Sequence, residues 1–168
     1  MNRNIALVGF MGSGKTTVAK KLAKVLKRQP VSTDERIEAK EKRQIVDIFR
    51  DSGEAYFRKV EKEIIQKIAL QNGLVIDCGG GVVLDQDNMD CLKNNGLIVF
   101  LSATPETIIE RVKHQKHRPL LNVDDPKAKI IELLEKRKAG YAKADHTVAT
   151  DNKSIQQIVD EIIEIVSK

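Results

Sequence analysis

Tryptophan is absent, and Phe, Trp and Tyr together make up only 4% of the chain. Stacking of bases on exposed rings is the usual grip on single-stranded nucleic acid, so that class of binder has little material here. Cysteine is almost as scarce. Cys78 and Cys91 cannot build a disulfide framework, and no Cys/His group has zinc-site spacing. Thiols of this kind are expected to be buried or incidental. Long apolar runs are also missing, for Leu97-Ile98-Val99-Phe100-Leu101 is far too short to cross a bilayer. The start, Met1-Asn2-Arg3-Asn4, leads into a short apolar stretch that ends at a glycine loop. A signal peptide needs a longer apolar region and a small-residue cleavage site. These shortages together predict a reduced, cytoplasmic, soluble protein without a membrane partner.

What is present suits one compact domain of 168 residues, 1–168. An apolar share of 41% is enough for a core, and 32% charged residues keep the surface in water, which excludes a mostly disordered chain. Twenty-nine Lys plus Arg against twenty-four Asp plus Glu leave a net charge of +5. That excess favours anionic partners, and phosphate compounds, nucleic acid or an acidic membrane all qualify.

Short aliphatic runs alternate with longer amphipathic stretches. Ile5–Val8, Leu74–Ile76 and Leu97–Leu101 read as strands buried on both faces, because their apolar residues run on without alternation. Pro30–Ser32 and His146–Ala149 are weaker candidates. Helices are predicted over Lys15–Lys27, Asp34–Lys42, Glu54–Gln71, Thr104–Lys113, Asp125–Ala142 and Ser154–Val166, the last with a clear apolar stripe. Strand–helix alternation argues for an α/β fold, a parallel sheet with helices on both faces. The polar stretch from His114 to Asp125 interrupts two helices and reads as a mobile excursion. Lys20, Lys21, Lys24 and Lys27 read as a solvated helix face, and His114 and His117 have no evident partner.

Gly9-Phe10-Met11-Gly12-Ser13-Gly14-Lys15-Thr16 matches the pattern G-x-x-x-x-G-K-[ST] in full, between a buried strand and a helix. Glycines let successive N–H groups point into one anion-sized hollow, and the helix adds the positive end of its dipole. Gly12, Ser13, Gly14, Lys15, Thr16 and Thr17 are thus expected to hold a nucleotide, with Lys15 on the β- and γ-phosphates and the Thr16 hydroxyl on Mg²⁺. A chain of this length has no room for the extra domains of a motor, so a small metabolite is the expected acceptor.

Further features fall where strands end. Thr33-Asp34 with Glu38 follows the second strand, and Gly79-Gly80-Gly81 follows the third. Ile48-Phe49, Gly53-Glu54, Phe57-Arg58 and Glu61 form an IF-x₃-GE-x₂-FR-x₂-E run, while Arg118-Pro119-Leu120-Leu121 lies in the polar excursion. Arg137 sits late in a helix, four residues before Tyr141. Together with the phosphate loop these resemble the shikimate kinase family from Ile5 to Val166. The resemblance implies a P-loop NTPase fold like that of the nucleoside monophosphate kinases, with a five-stranded parallel sheet in the order 2-3-1-4-5. It implies a lid at about 112–123 and an acceptor-binding region at about 33–62. The activity implied is transfer of the γ-phosphate of ATP, with Mg²⁺, to the 3-hydroxyl of shikimate in aromatic amino-acid biosynthesis.

Carried onto this sequence, the resemblance makes Asp34 the base, with Lys15 and Arg118 completing the catalytic group. Arg58 and Arg137 would clamp the shikimate carboxylate, Gly79, Gly80 and Gly81 would approach it, and Glu61 would hold Arg58. Arg118 would also meet the phosphates, Arg111 would lie against adenine, and Lys153 would join the nucleotide site. Elementary chemistry agrees: the planar guanidinium fork matches a carboxylate, and phosphoryl transfer needs mainly positioning and neutralised charge. Phe49 and Phe57 would lie in the core or floor the acceptor pocket. The implied partners are shikimate and ATP alone, bound by a monomer.

Three departures stand out. Ser32 occupies a position where the family has an acid near the Mg²⁺ waters; its hydroxyl is expected to meet a metal-bound water but brings no charge, and Asp77, at the end of the third strand, is a candidate to supply the missing carboxylate, also through water. Lys138-Ala139-Gly140-Tyr141 replaces a segment with proline and leucine and is expected to loosen the helix end that carries Arg137. Thr150-Asp151-Asn152-Lys153 lacks a proline, which leaves adenine to the backbone and Arg111. Other readings are a kinase of another small hydroxy acid such as gluconate, a nucleotide-binding regulator without turnover, and a nucleic-acid binder suggested only by charge.

Overall fold

Aliphatic side chains at consecutive positions can all be buried only in a strand covered on both faces, and the central strand shows this. In the computed structural model, which describes residues 3–115 and 122–168, β1 (Asn4–Val8) is buried at every position. It lies between β3 (Leu74–Asp77) and β4 (Gly96–Ser102), while β2 (Gln29–Ser32) and β5 (His146–Ala149) form the edges. All four pairings are parallel and the order is β2-β3-β1-β4-β5, as expected.

The sheet has separate apolar layers on its two faces. One holds Ile5, Leu7, Val75, Val99 and Leu101 against Val18 and Leu22 of α1 (Lys15–Leu26) and Ile158 and Ile162 of α7 (Ile155–Val166). The other holds Ala6, Val8, Ile76 and Ile98 against Ile37 of α2 (Thr33–Glu41), Ile48, Phe57 and Ile65 of α3 (Ile45–Ala69), and Met89 and Leu92 of α4 (Gln86–Asn94). A smaller cluster joins Phe10 to Ile108 and Val112 of α5 (Pro105–Val112) and to Ile130 and Leu133 of α6 (Pro126–Tyr141).

The differences from expectation have local causes. Helix α3 begins at Ile45, nine residues before the predicted start, because two helical segments are merged across Gly53 (φ 81°, ψ 171°). The predicted start at Glu54 is the first residue beyond that kink. Helix α4 carries only Met89 and Leu92 as buried apolar residues, too few to print a stripe, and its Asp85 cap is the one local signal for it. The end of α6 is not loosened. Gly140 lies within the helix, against the 3₁₀ turn Val82–Leu84, where an added Cβ would run into the Val83 carbonyl and Cβ.

That contact yields a prediction. Replacing a helical glycine by alanine ordinarily stabilises by about 1 kcal/mol. Here the clash is with backbone, and overpacking of that sort costs roughly 1–3 kcal/mol. Gly140→Ala is expected to lower the melting temperature; a rise in thermal unfolding would show that α6 is not seated on Val83.

Candidate active site

Between β1 and α1 the chain must turn sharply, and Gly12 (φ 76°) and Gly14 (φ 91°) take left-handed angles to do so. A side chain at Gly12 would also press on Val112, 2.8 Å from its Cγ1. The Ser13 N–H donates to the Phe10 carbonyl at 3.1 Å, closing the loop on itself. Among the described α-helices, α1 alone has neither a side-chain cap nor an acid in its first turn. Its leading N–H groups and dipole therefore face outward as an anion site.

Lys15 folds over this loop, its ammonium donating to the carbonyls of Gly9 (2.8 Å) and Phe10 (3.1 Å). The Thr16 hydroxyl donates to Asp77 Oδ2 at 2.6 Å. Arg111 braces the loop from the α5 side, donating to the Gly12 carbonyl (3.1 Å), the Thr150 hydroxyl (3.0 Å) and the Thr150 carbonyl (3.1 Å). It thus ties the phosphate loop to the turn at 150–153. Lys153, predicted at the nucleotide, pairs with Glu161 of α7 at 2.6 Å.

The second half of the site forms around Gly79–Gly81, which follows β3. The Thr33 hydroxyl accepts the Gly79 N–H at 2.8 Å and fixes this turn. A Cβ at Gly79 would stand 2.7 Å from Asp34 Oδ1 and 3.3 Å from Glu61 Oε2, and one at Gly80 would stand 3.1 Å from Arg137 Nη1. At Gly81 it would strike the Arg58 guanidinium. Four charged side chains from three helices therefore converge on a turn that itself has no side chains. Gly80 also lies beside the Gly9 carbonyl and the Met11 amide, so the cluster abuts the phosphate loop.

Each charged group is held by a definite partner. Arg58 donates from Nη1 to Glu61 Oε1 at 2.8 Å, the i, i+3 pair the sequence allows, and its Nη2 lies 3.4 Å from Glu54. Its guanidinium rests over Phe57, 5.2 Å from the ring centre, and Phe57 in turn meets the half-exposed Phe49 at 4.6 Å. Arg137 is only 5% exposed and sits over the Phe10 ring at 5.2 Å. Its Nε and Nη1 have no hydrogen-bond partner among the described residues. A buried guanidinium in that condition is costly and suits an incoming anion. The cap of α2 is Ser32, whose Oγ accepts the Glu35 N–H at 3.3 Å, so Asp34 is not spent as a helix cap.

Three acids here are harder to ionise than usual. Burial raises Asp34, helped by the charge on Asp77 and opposed by Lys15. Burial also raises Glu61 against the pull of Arg58, and raises Asp77 against the hydrogen bond from Thr16. A carboxylate raised in this way accepts a proton more readily near neutral pH, as a general base must.

Sequence reasoning named Thr33 beside Asp34 without giving it the role of anchoring Gly79, and it gave Phe10 no role beneath Arg137. Arg118 lies outside the described residues. A shallow groove of about 460 Å³ opens elsewhere, between α6 and the β4–β5 edge, lined by Phe100, Pro105, Ile131, Leu134 and Tyr141 among others. None of the predicted site residues lines it. Among the described residues no three His, Cys, Asp or Glu side chains gather as a metal cage. The arrangement suits a phosphate group on the loop and, beside it, a small molecule carrying an anionic group and a hydroxyl.

Known proteins are similar to this chain in sequence and in fold. The shikimate kinase family pattern matches residues 11–167. A shikimate kinase of Persephonella marina is 47% identical over 161 residues, 96% of this chain and 97% of the relative. Among solved structures, shikimate kinase from Acinetobacter baumannii in complex with shikimate superposes with a TM-score of 0.93 at 34% identity, covering 98% of this chain and 93% of that one. The Aquifex aeolicus shikimate kinase gives 0.85 at 36% identity, covering 98% and 96%.

The raised Asp34 has a consequence for stability. A folded-state pKa above the ordinary 3.8 makes the ionised carboxylate the costly form. Its drag on stability is absent below the unfolded value and grows as pH rises through the folded one. Asp34→Asn is expected to melt a few degrees higher than the parent at pH 7, with the two curves converging as pH falls toward about 4. A variant that melts lower at every pH would contradict this.

Proposed function

The chain belongs to the shikimate kinase family and is a kinase of that family; we propose that it transfers the γ-phosphoryl group of ATP to the 3-hydroxyl of shikimate, giving shikimate 3-phosphate. The observation that carries this reading is the convergence of Asp34, Arg58, Glu61 and Arg137 on Gly79–Gly81, against the phosphate loop. A small hydroxy acid needs one group to take a proton and cations to hold its carboxylate, and both are there.

In the proposed reaction the acceptor hydroxyl oxygen forms a bond to the γ-phosphorus as the bond to the β,γ-bridging oxygen breaks. ADP leaves with the electron pair of that bond, and the hydroxyl proton passes to Asp34. Asp34 is suited to this because burial and the neighbouring Asp77 charge favour its protonated form. Arg58, steadied by Glu61, and Arg137, with Nε and Nη1 unpartnered among the described residues, would hold the carboxylate, with Gly79, Gly80 and Gly81 permitting close approach. The loop amides of Gly12 to Thr17 and the Lys15 ammonium would hold the phosphates, and Arg111 would keep the loop and the base-side turn in register.

Mg²⁺ fits the donors present. The Thr16 hydroxyl, next to the Asp77 carboxylate, offers the hard oxygen ligands this ion takes. The lack of a protein cage among the described residues agrees with an ion that keeps waters and shares ligands with phosphates. When bound, the ion would supply neutralisation of the nucleotide's phosphate charge. Residues 1–168 would act as one domain, with an acceptor-binding region at about 33–62 and a lid at about 112–123 that brings Arg118 to the phosphates. Of that lid, residues 116–121 lie outside those described. No described helix is long and apolar enough to cross a membrane, and a monomeric cytoplasmic enzyme working on small molecules is part of the same proposal.

A coupled ADP-release assay against a panel of hydroxy acids tests the reading. Shikimate is expected to be the preferred acceptor. Lys15→Ala and Asp34→Asn should each lower kcat by about 10²-fold or more. Arg137→Ala should act chiefly on the acceptor KM, by roughly 30-fold or more, as loss of a buried charged pair does. Activity that survives all three changes, or that prefers gluconate, would refute the site or the substrate respectively.

A further inference from the structure

Arg137 rests over the Phe10 ring, a contact that holds a cation near the ring without fixing the direction of its N–H groups. Arg58 has Glu61 to fix it, whereas Nε and Nη1 of Arg137 have no partner among the described residues. Tyr141 follows Arg137 by four residues on α6. Side chains at that spacing share one helix face, the later one leaning back over the earlier. Tyr141 is only 5% exposed, and its hydroxyl also has no hydrogen-bond partner among the described residues. Burial pushes the phenol above its ordinary range, while Arg137 draws it back by its charge and its N–H groups. The two are therefore close neighbours whose hydrogen bond is not fully formed. A phenol that only packed would be better replaced by phenylalanine, because an unpaired buried hydroxyl is costly. The ring itself is firmly placed. It stacks on Phe100, with centroids 4.2 Å apart and planes 8° from parallel. Phe100 stands on β4 in register with Val8, where β1 ends and the phosphate loop begins. The preceding residue, Gly140, seats the helix on Val83, just beyond the triple-glycine turn.

We propose that Tyr141 is a positioning residue for the acceptor: its hydroxyl accepts an N–H of Arg137 and turns the guanidinium so that the remaining N–H groups face the acceptor's carboxylate. A neutral phenol orients the cation without cancelling its charge, whereas a carboxylate in the same place would compete with the acceptor for it. The bond closes as the acceptor settles on Arg137, so both unpartnered groups are satisfied in one step. This role rests on the kinase reading above and adds to it one residue that acts only through Arg137.

Tyr141→Phe keeps the ring, its stack on Phe100 and nearly all of its volume, and removes only the hydroxyl. With the hydroxy acid that the ADP-release panel prefers, the acceptor KM is expected to rise by about five- to tenfold. The KM for ATP and kcat should stay within about twofold of the parent. Thermal unfolding should come at the same temperature or higher, because an unpaired buried hydroxyl has gone. In an Arg137→Ala background the same change should cost less than about twofold, since the hydroxyl then has nothing to orient. An unchanged acceptor KM in Tyr141→Phe overturns the proposal. So does an equal loss for ATP and acceptor with earlier melting, which marks a packing role, and so does a full loss that persists without Arg137. A wrong substrate reading would show separately, as preference for another acid in the panel, and would leave the comparison between Tyr141→Phe and its parent intact.

Discussion

The parallel pairing of β1 with β3 is the constraint on which the site depends. Ile5 faces Val75 and Leu7 faces Asp77, so both strands run out of the sheet at one edge, side by side. The phosphate loop leaves β1 and the triple-glycine turn leaves β3 at that edge. The chain's path explains why the space above them is open. After β1 it travels outward to β2, returns to β3, and then crosses to β4 on the other side. Connections diverge from the β1–β3 junction, leaving the crevice in which open α/β sheets bind ligands. Helices α2, α3 and α6 then need only direct a few side chains over the crevice.

What they direct there is charge, and the triple glycine makes room for it. Asp34, Glu61, Arg137 and Arg58 stand where side chains at Gly79, Gly80 or Gly81 would otherwise be. The cost of this crowding is visible as three carboxylates with raised pKa and a buried arginine with unpartnered nitrogens. A fold selected only for stability would replace such groups by apolar ones. The cores on the two faces of the sheet, with Leu7, Val8, Val75 and Ile98 fully enclosed, supply the stability that lets this small region remain strained. The spare positive charge of the composition is thereby resolved, in part, into Lys15, Arg58, Arg111 and Arg137 at specific places.

Much of this was legible because the informative signals are local. An eight-residue loop between an aliphatic strand and a helix specifies its own geometry, and the Arg58–Glu61 spacing specifies one helical turn. β1, β3 and β4 could be read because each is a short apolar run bounded by turns, whereas the edge strands β2 and β5 each bury a single residue and gave a weaker signal. The remainder depends on tertiary contact. Arg137 belongs to Glu135-Lys136-Arg137-Lys138, which in sequence is a solvated helix face, and only the packing of α6 on Phe10 and Val83 buries that one cation. Helix α4 is nearly all polar, so its two apolar anchors cannot announce it. The resemblance placed Lys153 at the nucleotide site, and its ion pair with Glu161, eight residues on in another element, is a tertiary contact that no local pattern announces. Gly140 read as a weak point and is a seat, since the absence of its side chain is what admits Val83.

The relation of Ser32 to Asp77 shows how a parallel sheet tolerates change at a functional edge. Neighbouring strands lie only about 4.8 Å apart, and in-register residues such as these project to the same side. A charge removed from one strand end can therefore be replaced from the next without moving any backbone. The Thr33 hydroxyl, which anchors Gly79, and the Ser32 cap of α2 are unaffected by which strand supplies it. Asp34 is affected, because the charge of Asp77 is among the causes that raise its pKa. The acid that would hold a cation and the acid that would take a proton are coupled through space, so the position of the first adds to what burial has already done to the strength of the second.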